Sequence, residues 1–436
     1  MNDLSRRRFL GLAGAATAAV GLTACAGTGS SSSSSQGKTA ASGTIDFWSN
    51  HPGSSRDTEL KLIAAFEAAN PGLKVKLTDA GKNYEEVAQK FNAALTGGQL
   101  PDAVLVSDVT WFNFALNEQL SPLDELLSGA NLSTDDYVES LYKDYTFKGK
   151  HFALPYARST PLFYYNKDLW AKAGLPDRGP ESWDELLAWG PKIKAAVGSD
   201  KTGLILADGS NYLDWYFQGV VWSKGGSYSE DWTATFTDPK TIAAGKLLQD
   251  LAKQKVARFT KAPATDFGAG LAACMVESTG SLGGVAKVAK FPIGTAFLPA
   301  PAGVPSCPTG GAGAAIPAKL SDARKKNALK FLYFMTSAES TVTFTQATGY
   351  MPVRTSALEN PAEKAFLDKN PNAATAVKQL PQTRSQDYAR VFTPGGGLRI
   401  GKALDQIVQG ADVATVFKRL NDETQQVIDR QIKPKL

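Results

Sequence analysis

The side chains that most often do chemistry are scarce in this chain. Its 436 residues hold two histidines, His51 and His151, and three cysteines, Cys25, Cys274 and Cys307. Zinc sites and Ser–His–Asp nucleophiles both draw on histidine, so neither has enough parts. No phosphate loop of the form G-x-x-x-x-G-K-[S/T], no G-x-S-x-G elbow, no H-E-x-x-H and no C-x-x-C occurs. Gly311-Ala312-Gly313 begins like a dinucleotide fingerprint, but Ile316 stands where the third glycine belongs. The adjacent acids Glu85-Glu86 and Asp135-Asp136 read as solvated faces. A glycosidase needs two carboxylates roughly 5–9 Å apart across a cleft, and nothing marks these as such a pair. Neither an enzyme nor a metal or cofactor site is expected.

Length and charge narrow the class further. A single core rarely serves more than about 250–300 residues, so two domains are expected. The formal charge of +5 is too small to indicate nucleic acid, and part of it sits on Arg6, Arg7 and Arg8. Those arginines open Ser5-Arg6-Arg7-Arg8-Phe9-Leu10, followed by an apolar run to Leu22. The run is shorter than the ~20 residues that span a bilayer, so it reads as a targeting segment. Its start resembles a twin-arginine signal. Leu22-Thr23-Ala24-Cys25 looks like a lipoprotein cleavage box, with Cys25 as the lipidated residue. Residues 25–43 are mostly Ser, Gly, Ala and Thr, a composition that cannot offset its own ordering entropy and so reads as a tether. The expectation is a signal over 1–24, a lipidated tether over 25–43 and a body held at the extracytoplasmic face of the cell membrane. Export permits a Cys274–Cys307 disulfide, and only geometry decides it.

The body must then position whatever it binds. Thr44–Ser49, Leu73–Leu77 and Asp102–Ser107 read as strands, with helices over Leu60–Ala69 and Tyr84–Leu95 between them. This is a doubly wound α/β start. A second block repeats the mixture: strands near Pro161–Tyr165, Leu271–Glu277 and Phe291–Leu298, and helices near Asp168–Ala173, Trp183–Val197, Tyr212–Trp222 and Pro239–Gln254. Pro/Gly-rich loops are expected around Pro299–Pro308 and Gly310–Gly313, and helices over Ser321–Met335, Ala338–Ala347 and Leu398–Ile432.

Several segments together are distinctive: Asp79-Ala-Gly-Lys-Asn-Tyr84, Tyr156-Ala-Arg-Ser-Thr-Pro-Leu-Phe-Tyr-Tyr165, Ser278-Thr-Gly-Ser281, Cys307-Pro-Thr-Gly-Gly-Ala-Gly313, Thr348-Gly-Tyr-Met-Pro-Val-Arg354 and Gln386-Asp-Tyr-Ala-Arg390. With Ile45-Asp-Phe-Trp48 and Pro101-Asp102-Ala103-Val104, they resemble extracellular solute-binding proteins of ABC importers, in particular the type that binds glycerol-3-phosphate or glycerophosphodiesters. The resemblance covers about residues 44–433. It implies an α/β, two-lobed periplasmic-binding-protein fold, each lobe a mostly parallel sheet flanked by helices, joined by a hinge. Lobe 1 would hold 44–157 plus about 292–349, and lobe 2 would hold 160–290 plus about 350–436. A monomer docking on membrane permease subunits is expected.

The resemblance also implies a cleft. Ser278 and Gly280 would offer a phosphate the backbone N–H groups of a helix start. Arg390 would clasp it with a guanidinium, and removing Arg390 is expected to leave the melting temperature nearly unchanged. Gly311 would let backbone approach the ligand, and Ser159 and Tyr350 would add hydroxyls. Asp108, with Tyr84, would accept from glycerol hydroxyls. Trp215 and Tyr212 would form an aromatic wall suited to a quaternary ammonium such as choline. The family pattern can carry tryptophan at both wall positions, so Tyr212 is a departure that bears on head-group choice. Glycerophosphocholine is the expected ligand, with glycerol-3-phosphate a further candidate. A sugar receptor of the same fold is the alternative, and a glycerophosphodiester hydrolase the more distant one.

Overall fold

The computed structural model describes residues 43–436. The expected signal, the lipidated Cys25 and the tether up to residue 42 lie outside the described residues. In chain order, β1 (Thr44–Ser49), α1 (Arg56–Ala69), β2 (Lys74–Asp79), α2 (Tyr84–Gly97) and β3 (Ala103–Ser107) alternate as the apolar pattern predicts. Next come β4 (Ala153–Ser159), β5 (Pro161–Asn166), α3 (Trp183–Val197), β6 (Thr202–Ala207), α4 (Leu213–Ser223), α5 (Pro239–Lys253), β7 (Ala257–Thr260), β8 (Ala272–Ser278), α6 (Leu282–Val288), β9 (Ile293–Ala296) and β10 (Gly310–Ala315). Among the later helices, α7 (Asp322–Met335), α8 (Ala338–Thr348), α9 (Tyr388–Val391), α10 (Gly396–Val408) and α11 (Val413–Val427) complete the lobes.

Local chemistry accounts for these boundaries. Glu185 N–H donates to the Ser182 hydroxyl at 3.1 Å, a side-chain cap that starts α3 at Trp183. Asn83 caps α2 in the same way, and Gly98 in the left-handed region ends it. All five residues of β3 are buried, as a central strand of a covered sheet requires.

Two sheets result, ordered β2-β1-β3-β10-β4 and β7-β6-β8-β5-β9. In the first, β1 pairs parallel with β2 and β3, while β10 runs antiparallel to β3 and β4. In the second, β6 pairs parallel with β7 and β8, while β5 runs antiparallel to β8 and β9. One strand per sheet is reversed, so each sheet is mostly parallel. Helices α1, α7 and α8 cover the first sheet, where Phe331 lies edge-on to Phe47 and Phe66 at 5.3 and 5.2 Å. Helices α4, α5, α10 and α11 cover the second, around Phe217, Leu404 and Phe417.

The chain passes between lobes at Thr160, which alone separates β4 from β5, and again between β9 and β10. It returns near Met351, whose N–H donates to Arg158 O at 2.8 Å. The structure departs from the expected division twice. Residues 293–296 were expected in lobe 1, yet β9 pairs with β5 in the second sheet. The C-terminus was expected wholly in lobe 2, yet Ile432 is buried in the cluster that contains Trp111 and Phe112 of the first lobe. Lys435 Nζ donates to Asn117 Oδ1 there at 2.7 Å.

The expected loop at Gly310–Gly313 is a sheet strand, β10. Its low strand propensity is overridden by neighbours on both sides and by crowding that only small residues permit. A Cβ on Gly310 would lie 2.5 Å from the Trp215 indole, and one on Gly313 would lie 2.8 Å from the Tyr145 ring. Strands β4, β6 and β7 were also absent from the sequence expectation. Cys274 and Cys307 are both free and buried. Cys274 faces Tyr165, whereas the Cys307 thiol lies against Pro161 O, four residues along β5. That separation is about 13 Å of strand, beyond disulfide reach.

Gly311 has φ +100, and a Cβ there would sit 2.0 Å from Ala157 O. Gly311→Ala is therefore expected to destabilise the protein by about 2 kcal/mol or more, read by thermal or urea unfolding.

Candidate ligand-binding cleft

Arg390 is the centre of the cleft. It lies on α9, 5% exposed, and reaches both lobes. Its Nε donates to Asp214 Oδ2 at 2.6 Å, and its Nη1 donates to Asp108 Oδ2 at 3.0 Å and to Gln386 Oε1. Asp108 follows β3 in the first lobe and Asp214 lies in α4 of the second, so one guanidinium ties the lobes together. Gln386 Nε2 also donates to Asp108 Oδ2, and to Thr309 O at 2.6 Å. Burial pushes the Asp214 carboxyl above its ordinary range, and Arg390 only partly offsets that.

This arrangement changes the expected roles of two residues. Asp108 was expected to accept from ligand hydroxyls, but its Oδ2 is already held by Arg390 and Gln386. Arg390 was expected to be dispensable for stability, but it neutralises a buried carboxylate. Asp214 and Gln386 are the partners of Arg390 that sequence reasoning missed. Asp214 carried a signal: it is the only acid in the buried Leu213–Trp222 stretch. Gln386 sits four residues before Arg390, just ahead of α9.

A set of phenols lines the space beside this network. The Tyr84 hydroxyl is buried without a hydrogen-bond partner. Burial raises its pKa well above the ordinary value, and the neighbouring phenols of Tyr350 and Tyr212 add to that. Burial likewise pushes Tyr350 up to about 12. The Tyr350 ring occupies a slot between Gly53 of the first lobe and Gly280 of the second, where added Cβ atoms would lie 2.9 and 2.6 Å from it. Tyr212 keeps 37% of its surface exposed, although surrounding protein raises its pKa too. Its ring is the most exposed of this set. Trp215 is different: it is 4% exposed, packs beneath Gly310 and donates from Nε1 to Thr309 O at 3.0 Å. Of the expected aromatic wall, Tyr212 supplies the open face and Trp215 backs it edge-on at 6.4 Å.

The remaining expected residues lie at the crossings. Ser159 pairs with Gly310 and Gly311 pairs with Arg158 in the register of β4 and β10, and Gly311 O accepts from Asp108 N at 3.0 Å. The need for glycine at 311 is met within the protein, by Ala157 O. Ser278 ends β8 and its Oγ accepts from Gly280 N at 3.1 Å. The expected anion seat on backbone N–H groups is not open: Ser278 N donates to Glu277, and Thr279 N donates to Thr160 O. What Ser278 can offer a ligand is its hydroxyl proton. Beneath it, buried Glu277 accepts from the Tyr216 hydroxyl at 2.8 Å.

A second polar network braces the hinge. Asp144 accepts from Arg158, from the Thr309 hydroxyl at 2.8 Å and from the Ser385 hydroxyl at 2.5 Å. These donors come from three separate stretches of chain: the end of β4, the segment before β10 and the segment before α9. On the first-lobe rim, the loop after β1 is pinned by His51, whose Nδ1 lies 2.5 Å from Glu59 Oε2. Glu59 is wholly buried and also accepts from Ser49 Oγ at 2.8 Å.

A family model described as bacterial extracellular solute-binding protein matches residues 61–375. The chain is similar to the sn-glycerol-3-phosphate-binding periplasmic protein UgpB of Yersinia enterocolitica, 28% identical over 385 residues, or 84% of this chain and 87% of that protein. The UgpB of Salmonella typhimurium is 28% identical over 375 residues, 82% and 84% of the two chains. Among solved structures, UgpB from Mycobacterium tuberculosis in complex with glycerophosphocholine is 50% identical, with a TM-score of 0.87 over 89% of this chain and 99% of that one. The GacH receptor of Streptomyces glaucescens shares the fold at a TM-score of 0.77, over 89% of this chain and 98% of that one, and 23% identity.

Two outcomes follow from the cleft geometry. Arg390→Ala leaves a buried carboxylate unpaired and is expected to cost about 3–5 kcal/mol of stability, with Asp214→Asn in the same chain recovering part of it, both read by denaturant unfolding. For His51, the Glu59 hydrogen bond raises its pKa above 6.5, against the opposing effect of burial. A raised histidine stabilises fully below its unfolded value and loses that contribution as pH rises through the folded one. Thermal melts should therefore show a stability loss above about pH 6.5 that His51→Gln removes.

Proposed function

The chain belongs to the bacterial extracellular solute-binding proteins of ABC importers, and from that premise we propose that it captures a glycerophosphodiester, glycerophosphocholine above all, and delivers it to a membrane permease. The observation that carries the ligand class is the 50% identity, over nearly the whole body, to a UgpB whose structure holds glycerophosphocholine. The cleft chemistry is consistent with it. Arg390 and the hydroxyls of Tyr84, Ser159, Ser278 and Tyr350 supply donors for phosphate and glycerol oxygens. Tyr212, backed by Trp215, supplies an aromatic face for a quaternary ammonium. Glycerol-3-phosphate is the second ligand of the reading. Binding works by hydrogen bonds and closure of two lobes, and no bond is made or broken.

The lipid anchor belongs to the same proposal. Cys25 would carry acyl chains, residues 26–43 would act as the tether, and the body would work as a monomer at the outer face of the membrane. Among the described residues no helix is long and apolar enough to cross a membrane.

Calorimetric titration of the purified body is expected to give saturable binding of glycerophosphocholine and none of maltose or trehalose. Sugar binding without any phosphodiester binding would replace this proposal with the sugar-receptor alternative.

A further inference from the structure

Arg390 reaches its partners from a helix too short to hold itself in place. α9 has four residues, against the ~12–15 that an isolated helix needs, so its position is imposed from outside. The contacts that impose it converge on Asp387, the residue just before it. Asp387 is 6% exposed. Its Oδ2 accepts from Tyr228 N at 2.7 Å, and the Trp222 indole Nε1 lies 3.2 Å from Oδ1 and 3.1 Å from Oδ2. Its own N–H donates to Gln218 Oε1 at 2.9 Å. Its carbonyl oxygen accepts from Arg390 N at 2.9 Å, closing the turn that carries the guanidinium. One residue thus fastens the start of α9 to two positions of α4 and to the segment that follows α4.

The same fastening reaches the buried partner of Arg390. Tyr228 gives its N–H to Asp387 and its hydroxyl proton to Asp214 O at 2.8 Å. Asp387 and Asp214 are therefore fixed to one another through a single residue. A carboxylate is the group this place requires, because every side-chain contact it makes here is to an N–H. A protonated carboxyl or an amide turns one of its two positions into a donor, which then faces the Trp222 or Tyr228 N–H.

We propose that Asp387 is the positioning residue of the cleft: by holding Trp222, Tyr228 and the start of α9 together, its carboxylate keeps the Arg390 guanidinium where it meets the ligand phosphate. The inference rests on the reading of Arg390 as a ligand donor given above, and adds what sets its geometry. Asp387 acts through Arg390 and touches no ligand itself.

Ionisation supplies a readout. Burial pushes the Asp387 carboxyl up to about 6, against the opposing pull of the Tyr228 and Trp222 bonds and of Arg384. The charged and titratable groups around it are Arg384, Tyr388 and Arg390 on its own stretch, Tyr228 beside it and Asp214 on α4. Lowering the pH through about 6 protonates Asp387 and loosens the fastening, so ligand affinity falls. Stability moves the other way: below about 6 the folded protein holds a proton that the unfolded chain does not, and this group then favours folding as pH falls. A purely structural role would move affinity and stability together.

Glycerophosphocholine is the probe, since neither its phosphodiester nor its quaternary ammonium titrates in this range. By calorimetry, wild-type affinity is expected to fall about tenfold as pH drops from about 7.5 to about 5, without a matching loss of melting temperature. Asp387→Asn should bind about tenfold more weakly at the higher pH and change little across the range. Trp222→Phe keeps an aromatic ring and removes one donor, so it should shift the midpoint of the affinity profile upward, and this arm stands alone if Asp387→Asn fails to fold. A flat wild-type profile, an affinity that falls only in step with the melting temperature, an Asp387→Asn protein with wild-type affinity or wild-type pH dependence, or an unmoved midpoint in Trp222→Phe overturns the role of Asp387 and leaves the receptor assignment in place. Failure of the wild-type protein to bind glycerophosphocholine at any pH removes the underlying reading instead.

Discussion

One guanidinium organises this molecule. Arg390 is almost wholly out of water, and a buried charge is tolerable only when its partners are close and correctly placed. Two of those partners arrive from distant stretches of chain, Asp108 after β3 and Asp214 in α4, and the third, Gln386, lies four residues upstream. Because Asp108 belongs to one lobe and Arg390 to the other, the electrostatic demand of a single side chain sets the spacing of the whole cleft. Replacing this group by apolar residues could serve stability equally well. A polar triad between the lobes is instead a contact that water can replace.

The hinge obeys the same logic at its own scale. Three stretches of chain meet at Asp144, which accepts from Arg158, Thr309 and Ser385. A carboxylate with several donors keeps those stretches in register without a large apolar contact between them. Tyr350 joins the two sides, its ring held between Gly53 and Gly280. Any larger residue at either glycine would occupy that slot.

Much of the scaffold was legible because its signals are local. The helix Trp183–Val197 was readable to the residue from Ser182, Glu185 and Gly198, and the strands Thr44–Ser49 and Pro161–Asn166 from their apolar runs. The late helices were readable from Val413, Val416 and Phe417, all buried. What escaped was decided at a distance. Strand β10 is Gly/Ala-rich and looks like a loop until Trp215 and Tyr145 are known to lie against it. Residues 293–296 join the second sheet through pairing with β5, which no local pattern encodes. In the cleft, the nine residues singled out by motif all lie at the lobe junction or its walls, but their loads differ from expectation. Gly311 answers to Ala157, and Asp108 answers to Arg390. Glu85 was read with Glu86 as one solvated face, although Glu86 is exposed and Glu85 half-buried, since successive helical residues point about 100° apart.

The last residues of the chain bear on how far the two halves can part. After α11 the backbone widens into a π-turn over Ile428–Ile432, a form in which helical hydrogen bonding is already irregular. Beyond it, Ile432 is buried with Trp111 and Phe112, and Lys148 Nζ donates to Lys435 O at 3.1 Å. The terminus thus works as a strap laced from one half onto the other. Any rotation of the halves would have to stretch that strap at the π-turn or release its last residues.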